Sequence, residues 1–435
     1  MRFILIFLLV GLANSDGAFS STHAEDEAAN LSFERLGYTP ILSSGCTVEK
    51  AGNASEPYII AVTIGSQVFN LVPDTGSSNL IVGSGKCKDQ CNLKNVYRGP
   101  LIPQHTVRME FVTGGMVNQY AIDEIGVGGL TVKKPFLASV ENMNVGGAYA
   151  YPPSEDACYQ TRDGVIGLSY GKISMGGILP TFTALAAKGT PNGFTFQICD
   201  GYKEKTQKIG HLYFGGYPSK IIDGPIQYMN IEQAEYYNVF VEEFLIAGKS
   251  VQFPQPVNMR PGHPDLTTQT IVDSGTTRIF LNTQDNIDVM FAAMIASGMV
   301  EFPSGTTAAH VKDFYSLKRA IRGAKVNPQK TFQITVRSPG GSSPAIIDVD
   351  PRNLFRQTTE GLVQLGIAAE VGVARTILGA RVFQGNVLMF DRSQGRIGIV
   401  SGRGCDESYS VADIDTFFRG IFNASGSVSP TISPR

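Results

Sequence analysis

The stretch Leu71-Val72-Pro73-Asp74-Thr75-Gly76-Ser77 returns later in the same chain as Thr270-Ile271-Val272-Asp273-Ser274-Gly275-Thr276. Each copy is an apolar, strand-like run that stops at Asp. Each Asp is followed by Thr or Ser, then Gly, then a second hydroxyl residue. A further echo follows each copy: Val165-Ile166-Gly167 after the first, Ile377-Leu378-Gly379 after the second. One Asp-Thr-Gly alone says little, because Asp and Gly are ordinary turn residues. Two copies with matched flanks read as an internal duplication. The predicted fold is all-β, a duplicated architecture of two related lobes with one carboxylate in each.

The flanking sequence supports strands. Tyr58–Ile64 and Val68–Val72 enclose the turn Gly65-Ser66, a β-hairpin signal. Val107–Ile125 has strand-like ends around Gly114-Gly115, which suits a mobile hairpin. Helices are expected near Pro180–Ala187, stopped by Gly189, and over Asn286–Ala296, with Thr283 as cap and Gly298 as stop. Val411–Phe422 has apolar residues at helical spacing. A chain of 435 residues is too long for one core and suits two lobes. The expected boundaries are 57–225 with Asp74 and 226–405 with Asp273, then a tail over 406–435.

The ends and the composition narrow the function. Arg2 precedes the apolar run Phe3–Ala13, and Ala13 and Ser15 are small, as at a signal-peptide cleavage site over 1–15. Residues 16–56 are polar and read as a flexible lead or short propeptide. No later run is apolar enough to span a bilayer or to signal a lipid anchor. The net charge of −2 carries no basic block, which argues against nucleic acid and anionic membranes as partners. A soluble monomer is expected, either secreted or delivered to an acidic vacuole or lysosome-like compartment. Six cysteines in such a chain imply three disulfides, with fifteen pairings open. Cys87 and Cys91 are close enough to close a small loop; Cys46, Cys158, Cys199 and Cys405 are far apart. Sequons at Asn30, Asn53 and Asn423 fit a glycosylating route. Neither a metal nor another cofactor is expected, since Cys-x-x-Cys is absent and the five His are scattered.

Two carboxylates brought together cannot both ionise cheaply, so the pair holds one proton over an acid-to-mild range. The ionised member can take a proton from a bound water, and the protonated member can support a developing oxyanion. Gly76 and Gly275 let the backbone turn close to the carboxylates. The Ser77 and Thr276 hydroxyls can orient the outer carboxylate oxygens. Thr75 and Ser274 can bond across to the opposite loop.

Asp74-Thr75-Gly76-Ser77-Ser78-Asn79-Leu80 and Asp273-Ser274-Gly275-Thr276-Thr277 resemble the active-site loops of pepsin-like aspartic proteases. Val165–Leu168 and Ile377–Gly379 resemble the family's segments behind those loops. Phe194–Cys199, Ala234–Val239 and Phe390–Gly398 resemble the beta-secretase branch. The resemblance covers roughly Pro57 to Cys405. It implies a bilobal pepsin-like fold and an aspartic endopeptidase. Asp74 and Asp273 would be the catalytic pair, acting on proteins or peptides with apolar residues around the scissile bond. It implies Cys87–Cys91 and Cys199–Cys405 as disulfides, with Cys46–Cys158 the remaining pair. It also puts Phe111 at the flap position where the family usually has tyrosine, with Gly114 nearby. That tyrosine's usual partner is a tryptophan, and the corresponding position here is Ile81 in a chain with no Trp. Phe280 stands where the secretase branch has an arginine, so an acidic substrate preference is not implied. Residues 16–57 hold only Arg35 and Lys50 as basic groups, unlike the family's basic propeptides.

Two other readings compete. Gly167-Leu168-Ser169-Tyr170-Gly171 matches the serine-hydrolase elbow, which needs a strand–turn–helix context. A pepsin-fold binding or inhibitor protein without catalysis would be expected to have lost one of the two Asp motifs.

Overall fold

Residues whose side chains alternate inward and outward dominate the first half, and they form sheet. The computed structural model describes residues 36–43, 58–87, 95–111, 114–141, 163–199, 208–258, 270–276, 278–315, 321–357, 362–369 and 375–403. All lie within one unit, Arg35–Arg435. The strands of the first half are β1 (Gly37–Ser43), β2 (Tyr58–Ile64), β3 (Gln67–Asp74), β4 (Leu80–Gly83), β5 (Ile102–Phe111) and β6 (Gly114–Val127). They continue with β7 (Leu130–Glu141), β8 (Gly164–Gly167), β9 (Gly193–Ile198), β10 (Lys208–Phe214) and β11 (Ile222–Asn230). β2 and β3 pair antiparallel about Gly65, whose φ of 58° favours glycine. Ile60, Val62 and Ile64 of β2 point inward and are fully buried.

The duplication is visible in strand pairing. β3 runs parallel to β8, with Asp74 opposite Gly167, and β4 runs antiparallel to β8. In the second half Thr270–Val272 runs parallel to Ile377–Leu378, and Ile279–Leu281 runs antiparallel to it. The likeness extends one strand further. β4 lies parallel to β7, and Ile279–Leu281 lies parallel to Ile367–Ala369.

One sheet of thirteen strands joins chain segments far apart in sequence. Its order begins β11, Arg396–Gly402, Asn386–Asp391, β9, β10, β1, β2, β3 and ends β8, β4, β7, β6, β5. The late strand Asn386–Asp391 pairs antiparallel with β9. Aromatic rings fill the space behind this junction. Phe194 stacks on Phe390 at 4.9 Å, and Tyr237 meets Phe390 edge-on at 4.7 Å. Removing such a buried ring typically costs about 3–5 kcal/mol.

Several expectations meet the structure differently. Residues 37–43, read as part of a flexible lead, form β1, which pairs with β10 on one side and β2 on the other. β11 runs across the boundary expected at 225/226. The first expected helix spans Thr181–Ala186. The second spans Gln284–Ala296, two residues earlier than expected, because the Thr283 side chain accepts from Asn286 N at 3.2 Å and caps it. A further helix, Ala308–Tyr315, was not anticipated. Among the described residues no helix is long and apolar enough to cross a membrane. Cys87 and Cys199 are both disulfide-bonded. Cys46, Cys91, Cys158, Cys405, the three sequons, the signal segment and Val411–Phe422 lie outside the described residues.

Candidate active site

Each functional side chain sits where a strand ends in a tight turn. Asp74 is the last residue of β3, and Asp273 directly follows Thr270–Val272. Both loops fold back on their own carboxylates in the same way. Gly76 N donates to Asp74 Oδ1 at 2.8 Å, and the Ser77 hydroxyl donates to Asp74 Oδ2. Gly275 N donates to Asp273 Oδ1 at 2.8 Å, and the Thr276 hydroxyl donates to Asp273 Oδ2 at 2.6 Å. The two carboxylates thus have matching inner and outer partners.

The loops are also bolted to each other. Thr75 N donates to Ser274 Oγ at 3.0 Å, and Ser274 N donates to Thr75 Oγ1 at 2.9 Å. The Thr75 hydroxyl donates onward to Val272 O at 2.9 Å, and the Ser274 hydroxyl to Pro73 O at 2.6 Å. Thr75 and Ser274 are buried, so these four bonds are shielded from water. Each glycine then faces the opposite carboxylate. A Cβ on Gly76 would lie 2.6 Å from Asp273 Cγ, and one on Gly275 would lie 2.3 Å from Asp74 Oδ1. Only a residue without a side chain allows that approach.

The two apolar-Gly segments brace the loops from behind. Leu168 N donates to Asp74 O at 2.8 Å, and Ala380 N donates to Thr276 O at 2.6 Å. A Cβ on Gly167 would lie 2.5 Å from Ser78 C, and one on Gly379 would lie 2.0 Å from Arg278 O. Asn79 reaches further out and clamps Met175, donating to its carbonyl at 3.1 Å and accepting from its N–H at 2.9 Å. No sequence signal pointed to this Asn79–Met175 clamp.

Burial pushes the Asp74 carboxyl well above the usual carboxylate range, and the charge of Asp273 and a hydrogen bond to it push further. The bonds from Ser77 and Gly76 pull the other way and do not win. The pair therefore keeps a proton well above the pH at which a lone Asp would lose it.

Other sequence-derived candidates fall elsewhere. Phe111 ends β5 opposite Gly114, the first residue of β6, at the turn end of the hairpin. Ile81 is buried in a cluster with Met109, Met116 and Ile178 beneath that hairpin. Ser169, the would-be elbow nucleophile, is fully buried and donates to Glu235 O at 3.0 Å. It follows a strand but opens no helix of the kind a nucleophile elbow needs, so that reading fails. Phe280 is half-buried on the strand Ile279–Leu281.

Two aspartates presented by duplicated loops, one kept protonated by burial and by its neighbour, define an acid–base site in a two-fold all-β protein. The family follows directly: the chain belongs to the eukaryotic aspartyl proteases, whose model matches residues 57–401, and is an aspartic endopeptidase. It is 28% identical to a cathepsin D of Dictyostelium discoideum over 250 residues, 55% of this chain and 60% of that one. It is 24% identical to a gastricsin of Suncus murinus over 357 residues, 79% of this chain and 81% of the relative. A gastricsin of Callithrix jacchus is 26% identical over 362 residues, 80% and 83% of the two chains.

Proposed function

We propose that Asp74 and Asp273 are the catalytic pair of this endopeptidase, hydrolysing peptide bonds through a water held between them. The observation that carries this reading is the matched bonding of the two carboxylates by Gly76, Ser77, Gly275 and Thr276. One carboxylate takes a proton from the water as it attacks the peptide carbonyl. The other, protonated, donates to the forming oxyanion, and a proton then passes to the leaving amine. The fixed loops supply orientation before substrate arrives, which is where most of the rate gain from acid–base groups originates. The raised Asp74 value supports work at acidic pH.

The finer features belong to the same reading. Segment 1–15 directs the chain into the secretory route, with extracellular release or an acidic vacuole as destination. Cys87–Cys91, Cys199–Cys405 and Cys46–Cys158 are the proposed disulfides. Asn30, Asn53 and Asn423 are the proposed glycosylation sites. The chain acts as a monomer on protein and peptide substrates with apolar residues around the scissile bond, under a flap carrying Phe111 and Gly114. The segments Phe194–Cys199 and Ala234–Val239 favour placement near the beta-secretase branch.

The test is cleavage of a diverse peptide pool by purified protein from pH 3 to 7, with and without a transition-state analogue of aspartic proteases. Asp74→Asn and Asp273→Asn should each abolish cleavage while the circular dichroism spectrum stays unchanged. An inactive wild-type protein that still binds peptides would instead identify a silent binding protein.

A further inference from the structure

The hairpin β5–β6 loses its backbone ladder partway along. Ile102 pairs with Tyr120, but the next pair is Thr106 with Gln119. Three residues of β5 therefore bulge out against a single step of β6. The other side of β6 is irregular too, with the β6–β7 register shifting between Val117 and Asn118. Beyond the bulge the two strands pair again from Thr106 with Gln119 to Phe111 with Gly114, so the break separates this end from the rest of the hairpin.

One side chain sits at the break itself. The Tyr120 hydroxyl donates to Gly176 O at 2.5 Å. Gly176 has φ of +69°, and a Cβ there would lie 2.3 Å from Tyr120 Oη and 3.0 Å from Val107. Tyr120 and Val107 pack against the buried cluster that contains Ile81, Met109, Met116 and Ile178. His105, from the bulge, meets the Tyr120 ring edge-on at 5.4 Å. Gly176 is in turn anchored to the catalytic loop, because Asn79 clamps Met175 through two bonds and donates to Ser174 Oγ at 3.2 Å. A continuous path of contacts thus runs from the Asp74 loop through Asn79 and residues 174–176 to Tyr120 and the hairpin.

We propose that the Tyr120 hydroxyl latches the hairpin to the Ser174–Ile178 loop and so sets how the hairpin bears on a bound substrate. Tyr120 is a positioning residue: it acts on substrate through the hairpin and the loop, and takes no part in proton transfer. The inference rests on the aspartic endopeptidase reading. Losing the hydroxyl leaves the catalytic carboxylates intact, so its cost appears in substrate binding more than in turnover.

Kinetics of Tyr120→Phe test this with internally quenched peptides that differ in side-chain size around the scissile bond. KM should rise roughly fivefold, the equivalent of one hydrogen bond, with kcat within twofold and an unchanged melting temperature. Discrimination between large and small side chains should also weaken. Gly176→Ala must push the loop away from Tyr120 and should give the same KM phenotype. The double variant should then be no worse than either single one. Wild-type KM and wild-type discrimination in Tyr120→Phe would overturn the proposal, as would full additivity in the double variant. Absence of cleavage by the wild-type protein would instead strike the endopeptidase reading beneath it.

Discussion

Gly275 and Asp74 are in contact across the two halves of the chain: a Cβ on Gly275 would lie 2.3 Å from Asp74 Oδ1. Gly76 stands in the same relation to Asp273, at 2.6 Å from its Cγ. Each half thus provides the floor on which the other half's carboxylate rests. Gly275→Ala and Gly76→Ala should both lose activity by at least tenfold, because the added methyl must displace a carboxylate from its pair. Peptide cleavage at saturating substrate checks this, and wild-type kcat in either variant would contradict it.

Ser274→Ala removes the acceptor for Thr75 N and the donor to Pro73 O. A buried N–H left without a partner costs about 1–3 kcal/mol. The variant should unfold at lower denaturant with an unchanged m-value. Ser274→Thr, which keeps the hydroxyl, should recover most of the loss. Equal stability of Ser274→Ala and wild type would show that the cross-bonds contribute little.

The raised Asp74 value fixes the sign of a stability effect. A carboxyl that binds its proton more tightly folded than unfolded favours the fold most at low pH. That contribution fades as pH climbs from about 4, the unfolded value, through the higher folded one. Asp74→Asn removes the cost of holding a buried charge. Its melting temperature relative to wild type should therefore be least favourable at pH 3 and improve toward pH 7. A difference that is flat with pH would refute the assignment.

Lys134 gives a second pH effect of known direction. It is buried on β7, its Nζ donates to Pro135 O at 2.5 Å, and burial pulls its pKa from 10.5 down to about 8. The protonated amine therefore costs stability below pH 8, and the cost is relieved as pH rises toward 10.5. Lys134→Met should stabilise at pH 7 by up to roughly 3 kcal/mol, with the gain shrinking at pH 10. Urea unfolding at the two pH values measures it. A variant less stable than wild type at pH 7 would mean that the amine has a net favourable role.

Phe111 is expected to act on substrate. The pairing with Gly114 sets it at the turn end of the hairpin. Phe111→Ala should lower kcat/KM strongly with little change in melting temperature, while Phe111→Tyr should be tolerated. A large stability loss, with normal activity in the folded fraction, would assign the residue to packing instead.

Local signals carried most of the reading. The hairpin β2–β3 and the helix Gln284–Ala296 announce themselves through turn and cap residues a few positions apart. The repeat around Asp74 and Asp273 gave the two-fold plan, and the hydroxyls beside each Asp gave the cross-bonds. What stayed hidden depends on distant partners. Gly37–Ser43 is short, contains Pro40, and becomes a strand only because β10, far along the chain, lies beside it. The Asn79–Met175 clamp and the Tyr120–Gly176 bond likewise join positions that no local pattern connects.

The pairing of β9 with Asn386–Asp391 has a consequence for biosynthesis. β10 can cover one side of β9 almost as soon as both are made. The other side must wait for a strand made roughly 190 residues later. At roughly 5–20 residues per second, an emerging chain spends about 10–40 s with that apolar strand edge open. An open edge is a template for pairing with another nascent chain. Expression should therefore be limited less by the stability of the finished enzyme than by how well this one edge is shielded until Asn386–Asp391 is made.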